Sequence, residues 1–508
     1  MRSLAQSLAA QGFPVLRVEP LGIGDSLDLE ESENAWAIWQ RGAEVARDFL
    51  RAQTGIDQVI MGGVRMGGRL AAEVTADGLV LLAPIASGRT WLRELKLAAS
   101  VSDTLGPADA AGVESEGLTF SPRALEGLQS VDLANLAGDW KAALIFAQNP
   151  QAARVGARLT ELGVNTQIHG FPGYEEFLRD TDSNRAPEAV FDLILTWAQE
   201  TYPDLRTSRP VMTLPPCRLA GEAYEEISVK MAPGLIGLMT RARAPSGLGI
   251  IICSTSKEPR SGIGRLAVQI ARDLAGDGVT TIRFDFSGVG DSEIDCDEHV
   301  YLADRNQELA QAADWLRQEG CTSVTVVGVC SGAFHALRAI STNPRLDKAY
   351  CVSSRLVWRG RDRVESQNWD QGAAIARYVA KLKNPETWWR LMRGKIDVRA
   401  VAGTLRDRLA QKIVAGLDSN LSAPLRNGMT AVSDRGGAVR LVMGLDDSSL
   451  DEVETYFGPR AKRLTRLPGM TIRVIEDLDH SLAKAASRAV ILADLRAFLN
   501  LAEEKGSR

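Results

Sequence analysis

The chain repeats part of itself at long range. LAQSLAAQGFPVLRVEPLGIGDS (residues 4–26) and LAVQIARDLAGDGVTTIRFDFSGVGDS (residues 266–292) run in the same order. Each reads as an amphipathic helix, a Gly-bearing turn, a short β-branched strand and a G-x-G-D-S loop. The likeness continues in IDQVIMGGVRMGGRLAA (56–72) and CTSVTVVGVCSGAFHAL (321–337). A period this long indicates a duplicated domain, since solenoid repeats run about 20–50 residues.

Strand and helix patterns alternate in both copies. In the second, strands are predicted at 248–253, 280–284, 323–327, 349–352, 439–443 and 471–475, most of them separated by helical patterns. Apolar runs alternating with helices predict an α/β fold, a mostly parallel sheet flanked by helices. Residues 220–242 read as two further strands that open the second domain in antiparallel fashion. Pro and polar residues gather in YPDLRTSRPVMTLPP (202–216), which sets domains at 1–205 and 217–508. A chain of 508 residues has room for both. The first copy begins at its first helix and lacks counterparts of 235–242 and 248–253. It is therefore N-terminally truncated, or the natural start lies upstream. The sheet edge this leaves is expected to be covered by the second domain or a partner chain.

Composition narrows the function classes. A hydrophobic share of 45% with 24% charged residues belongs to a globular protein, and a net charge of −5 gives no reason to expect nucleic acid. Cys217, Cys253, Cys296, Cys321, Cys330 and Cys351 form no C-x-x-C pair and read as reduced thiols. Four His without metal spacing predict no metal, and the absence of G-x-x-x-x-G-K-[ST] predicts no nucleotide cofactor. With no long apolar stretch and no signal-type N-terminus, the expected location is cytoplasmic.

The chemistry lies in VTVVGVCSGA. An apolar strand runs into Gly328-Val329-Cys330-Ser331-Gly332 and then into a helix. Flanking glycines permit a tight strand-to-helix turn that presents Cys330 at the carboxyl end of the sheet. The helix N-terminus favours a thiolate, and the Ser331 amide points where an oxyanion would form.

These residues, with LAxxLAxxGxxxxRxDxxGxGDS, resemble the α/β-hydrolase superfamily. Within it they look closest to the serine-aminopeptidase-like group and to hydrolases associated with exosortase and exopolysaccharide gene clusters. The resemblance covers residues 217–501 and, less completely, 1–200. It implies two tandem α/β-hydrolase-type domains and the order nucleophile, acid, base. Cys330 is then the nucleophile, Asp447 rather than Asp446 the acid after the strand at 439–443, and His480 the base after the last strand. A second oxyanion donor would be a backbone N–H near Ser254 or Thr255. Where most members carry serine, this chain carries cysteine. That favours esterase, thioesterase or acyltransferase chemistry on a small-molecule acyl ester or thioester over peptide cleavage. A link to surface polysaccharide biosynthesis rests on the resemblance alone.

The superfamily inserts a cap between two sheet strands, here at about 354–427, where Trp358, Trp369, Trp388 and Trp389 would line a pocket or pack the cap. The first copy reads as degenerate. Its elbow is Gly63-Val64-Arg65-Met66-Gly67, Gln148 and Asn149 stand at the acid position, and Tyr174 falls near the base position. Arg65 cannot attack a carbonyl; it is a candidate anion-binding residue, or it pairs with a local acid. This half would serve as a scaffold or dimerisation module, which makes a homodimer an expectation. The competing function is a non-catalytic ligand-binding or scaffold protein built from two pseudo-hydrolase domains.

Overall fold

A computed structural model describes the chain apart from residues 31–32, 102–112, 116–117, 180–182, 206–217, 233, 295, 297, 357–418 and 502–508. It divides into two units, Met1–Pro215 and Pro216–Arg508.

In the second unit the apolar runs become the strands β7 (Arg218–Ala220), β8 (Tyr224–Ala232), β9 (Leu235–Ala242), β10 (Leu248–Cys253), β11 (Thr280–Phe284), β12 (Ser323–Val329), β13 (Lys348–Val352), β14 (Ala438–Gly444) and β15 (Met470–Ile475). They form one nine-stranded sheet in the order β15-β14-β13-β12-β10-β11-β9-β8-β7. Pairing is parallel from β15 to β11 and antiparallel across β9, β8 and β7. Successive side chains of a strand point to opposite faces. Accordingly Ile251, Val326 and Leu441 enter one core, while Ile250, Ile252, Val327 and Val442 enter another. Burial on both faces is why these strands read as unbroken apolar runs. Because β10 lies between β11 and β12, the chain reverses its direction of travel there, and ligand crevices form at the carboxyl ends beside such a reversal.

Residues 220–242 hold the two expected strands, β8 and β9. A third, β7, precedes them, because a tight turn in which Gly221 N–H donates to Tyr224 C=O at 3.0 Å frees Arg218–Ala220 to pair with β8. The expected cap at about 354–427 overlaps the start of the helix Ser419–Asp434. The helix Ser419–Asp434 buries Met429 and Val432 completely, and a Cβ on Gly428 would lie 2.5 Å from that of Ser341. Residues 357–418, with the four cap tryptophans, lie outside the described residues.

In the first unit β1 (Ile60–Val64), β2 (Gly78–Leu82), β5 (Ala142–Ala147) and β6 (Asn165–Gly170) form a parallel sheet in that order. A short hairpin joins β3 (Val113–Ser115) to β4 (Leu118–Phe120). The strand expected after the first helix does not form: Val15, Leu16 and Val18 are 39, 38 and 48% exposed and lie in irregular chain. The matching β11 of the second unit is held between β9 and β10. Among the described residues the first unit's sheet ends at β1, and this segment has no strand to pair with.

The two units nevertheless share local geometry. Arg65 sits at φ 50°, ψ −114° and Cys330 at φ 52°, ψ −116°. Arg65 N–H donates to Leu82 C=O at 2.8 Å, and Cys330 N–H to Val352 C=O at 2.9 Å. In the G-x-G-D-S loops, Asp25 N–H donates to the Glu19 carboxylate at 2.8 Å, and Asp291 N–H to that of Asp285 at 2.9 Å. The Ser26 and Ser292 hydroxyls each donate to the backbone carbonyl of the same acid.

Candidate active site

The elbow follows β12 because its glycines leave no room for anything larger. A Cβ on Gly328 would lie 2.3 Å from the Gly332 carbonyl carbon, and one on Gly332 2.8 Å from the Ser254 oxygen. Between them Cys330 takes the left-handed backbone conformation, at the N-cap of the helix Ser331–Thr342. Such strain in a non-Gly residue persists only where the surroundings enforce it, and functional sites are where it gathers.

Three other segments converge on the thiol. After β14, Asp447 caps the helix Ser448–Phe457, its Oδ1 accepting from Ser449 N–H at 2.8 Å. Its side chain is 2% exposed, and its Oδ1 and Oδ2 lie 3.1 and 3.0 Å from His480 Nδ1. Asp446 is exposed. After β15, the His480 loop packs tightly against the end of β14, where a Cβ on Gly444 would meet the Leu478 carbonyl oxygen at 2.5 Å. Buried Leu482 anchors this loop, Asp479 accepts from Ala483 N–H at 2.6 Å, and Arg488 donates to the Ala483 carbonyl at 2.6 Å. His480 and the Ser331 N–H both act on the Cys330 thiol and lower it. With Asp447 on Nδ1, the nitrogen left for the thiol is Nε2. The third segment, 298–305, brings the Tyr301 hydroxyl to 3.4 Å from Cys330 Sγ.

The electrostatics favour an ion pair. Burial pushes the Cys330 thiol up, but His480, Tyr301 and the Ser331 N–H outweigh it and bring it below its ordinary value. Burial pushes His480 down, yet Asp447 and Cys330 raise it, to about 10, although 45% of its side chain faces solvent. Burial raises the Asp447 carboxyl, and His480 with the Ser449 N–H brings it to about 2. The buried Cys253 and Cys351 thiols are pushed upward by desolvation, which leaves them unreactive core side chains.

The loop after β10 is tied to the elbow. Ser256 N–H donates to Ser331 Oγ at 2.6 Å, Thr255 Oγ1 to the Val329 carbonyl at 3.0 Å, and Ser254 Oγ to the Phe284 carbonyl at 3.1 Å. A small cavity beside it is lined by Ser254, Thr255, Arg260, Ile263, Leu266 and Ser481. Arg260 bonds buried Asp285 at 2.6 Å and Asp291 at 3.0 Å, so the G-x-G-D-S loop braces the segment expected to supply an oxyanion donor. His335, inside the elbow helix, is buried against Phe286 and Phe334, and burial lowers it to about 4.

Sequence reasoning missed Tyr301 and Arg260. Tyr301 lies in a loop with no motif. Arg260 had a partial signal, since Asp285 stands in the quoted RFDFSGVGDS passage, but only the fold supplies its partner.

In the first unit the Arg65 guanidinium donates to Tyr174 Oη at 2.6 Å and to Glu94 Oε2 at 2.8 Å. An incoming anion would have to displace Glu94. Asn149 caps the helix Pro150–Glu161 at the acid position, and His169 stacks on Phe146 within β6. Among the described residues no group of three or more His, Cys, Asp or Glu is arranged to hold a metal, and no helix is long and apolar enough to cross a membrane.

This sheet order, elbow and set of loops define the α/β-hydrolase fold. Residues 261–493 match the model of the alpha/beta hydrolase family, and the second unit belongs to that superfamily. Among solved structures the chain is similar to the Pyrococcus furiosus esterase Pf2001 at 14% identity and a TM-score of 0.35, over 56% of this chain and 98% of that one. It is also similar to TT1662 of Thermus thermophilus (14% identity, TM-score 0.34, 57% of this chain, 100% of that one). A third is MenH from S. aureus (14% identity, TM-score 0.32, 52% and 97%). No curated protein matches.

Proposed function

We propose that the second unit is an acyl-ester or thioester hydrolase, or an acyltransferase, with Cys330 as nucleophile, His480 as base and acid, and Asp447 as the group that orients His480. The observation that carries this reading is a thiol at a strained elbow, lowered by a His whose Nδ1 rests on a buried carboxylate. His480 holds the thiol proton at Nε2. The Cys330 sulfur pair forms a C–S bond to the acyl carbon while the carbonyl pair moves to oxygen. That oxyanion meets the Ser331 N–H and a backbone N–H of Ser254 or Thr255. The intermediate collapses, the bond to the leaving group breaks, and the His480 proton goes with it. Water then gives a proton to His480 and its oxygen bonds to the acyl carbon; collapse breaks the C–S bond, whose pair returns to Cys330, and another acceptor in place of water makes the reaction a transfer.

The test is turnover of p-nitrophenyl esters and acyl-thioesters beside Cys330→Ala and His480→Ala, with intact-mass spectrometry. The expected result is turnover or a trapped acyl adduct on the parent, absent from Cys330→Ala and at least about 100-fold slower in His480→Ala. A parent that neither turns over nor carries an adduct would favour the binding-module reading. The first unit fits a scaffold derived from the same ancestor, with Arg65 locked into a pair with Glu94 and Tyr174 where the other elbow carries a thiol.

A further inference from the structure

Tyr301 is placed as firmly as the proposed triad. Residues 298–305 lie beside the elbow and are pinned at their far end, where Arg305 donates to the Ser287 carbonyl at 3.0 Å and pairs with Glu308 at 3.0 Å. Tyr301 is 5% exposed. Its ring packs edge-on against Phe334 at 5.1 Å, in the first turn of the elbow helix, and stacks on His299 at 5.9 Å. The hydroxyl reaches Cys330 Sγ at 3.4 Å, hydrogen-bonding distance for sulfur. A buried phenol seeks a hydrogen-bond partner. Once His480 carries the thiol proton, sulfur can only accept, so the hydroxyl is the donor.

We propose that Tyr301 donates a hydrogen bond to the Cys330 thiolate and thereby restricts the site to acyl donors with good leaving groups, thioesters and aryl esters, over alkyl esters. The inference rests on the reading of Cys330 as nucleophile. A tetrahedral intermediate expels whichever group departs more readily. Sulfur that will return to the Tyr301 hydroxyl, the Ser331 N–H and protonated His480 departs more readily than an alkoxide. An alkyl-ester intermediate therefore reverts, its C–S bond breaking and the pair returning to Cys330. A thioester or aryl-ester intermediate goes forward, its leaving group taking the His480 proton and the acyl group staying on sulfur. Donation to the charged sulfur stabilises the resting thiolate more than the bond-forming state. The same donation assists departure of Cys330 in the second half-reaction.

The experiment follows iodoacetamide alkylation of Cys330 against pH by intact mass. It compares the whole chain, Tyr301→Phe, which keeps the ring, and His299→Ala, which removes the ring stacked on Tyr301 while leaving the Tyr301 hydroxyl and its other ring contact with Phe334. A second readout is the ratio of kcat/KM for an acetyl thioester to that for ethyl acetate. Removal of one hydrogen bond to a charged group is expected to move the alkylation midpoint of Tyr301→Phe up by about one pH unit or more. The thioester-to-ester ratio should fall in the same variant by about tenfold. His299→Ala should leave the midpoint in place. A Tyr301→Phe midpoint and ratio equal to the parent's would overturn the proposal, as would an equal shift in His299→Ala. If Cys330 in the parent titrates as thiolate but never acylates, the nucleophile reading fails while the hydrogen bond stands. If parent and Tyr301→Phe both acylate and differ in neither readout, the inference alone fails.

Discussion

Cys330 and Arg65 occupy backbone conformations within 2° of each other, and their side chains set opposite chemistry. A guanidinium stays charged and cannot attack, whereas a thiol facing His480 exchanges its proton. The shifts make a pH profile predictable. The thiol lies below its ordinary value and His480 above its own, so each group favours the charged form of the other. Turnover, as kcat/KM, is expected to rise on the acid side of the ordinary thiol value near about 8.5 and to fall as His480 loses its proton near pH 10. Both limbs belong to the coupled pair rather than to either residue. The sign for stability follows the same shifts. The contribution of His480 is full below the ordinary imidazole value near about 6.5 and is lost as pH rises through its raised folded value. That of Asp447 is present above the ordinary carboxyl value near about 4 and is lost as pH falls toward 2. A rate profile with a single rising limb, centred at or above the free-thiol value, would contradict the ion pair.

At the scale of elements, the two elbows differ in what packs over them. A Cβ on Gly332 would strike the Ser254 and Cys253 carbonyl oxygens at 2.8 and 2.9 Å, while one on Gly67 would meet nothing within 4 Å. Among the described residues the first unit has no counterpart of β10 and its loop. Gly332→Ala is therefore expected to cost about 1–3 kcal/mol and to dislodge the loop at Ser254. Gly67→Ala, in the helix Met66–Ala71, is expected to be neutral or to stabilise by about 0.4–1 kcal/mol. Urea unfolding of the two variants separates the cases; equal effects would mean that the loop after β10 does not constrain the elbow.

At the scale of the whole molecule, each unit closes cores of its own. Leu144 packs with Phe146, Phe191 and Trp197 in the first unit, and Val442 with Ile252, Tyr350 and Leu495 in the second. Leu144→Ala leaves a cavity in the first core and is expected to cost about 2–5 kcal/mol there. The alkylation rate of folded protein at Cys330 should not change, which thermal unfolding combined with thiol mass labelling can follow. A large loss of Cys330 reactivity below the first melting transition would mean that the second unit depends on the first.

The sequence alone was enough for the parallel core of the second unit, because strands buried on both faces must be apolar throughout and helices must alternate with them. It also marked Cys330, since two glycines around one nucleophile after a strand have few other uses. Asp447 and His480 were legible only through family resemblance. Nothing in GLDDSS or EDLDHS says which carboxylate turns toward which ring, and that choice comes from the cap of the helix after Asp447 and from the close contact at Gly444. Residues 14–18 show the limit most clearly. Their pattern favours a strand as much as that of 280–284, but a strand exists only where neighbours complete its hydrogen bonds, and those neighbours lie far away in sequence. Tyr301 is the same case for the site: a lone tyrosine in a loop carries no periodicity or motif. Local pattern therefore determined which segments are strands and helices in a complete sheet and which residue sits at the elbow. Tertiary structure decided which side chains surround that residue, because such contacts join positions of large sequence separation that only packing brings together.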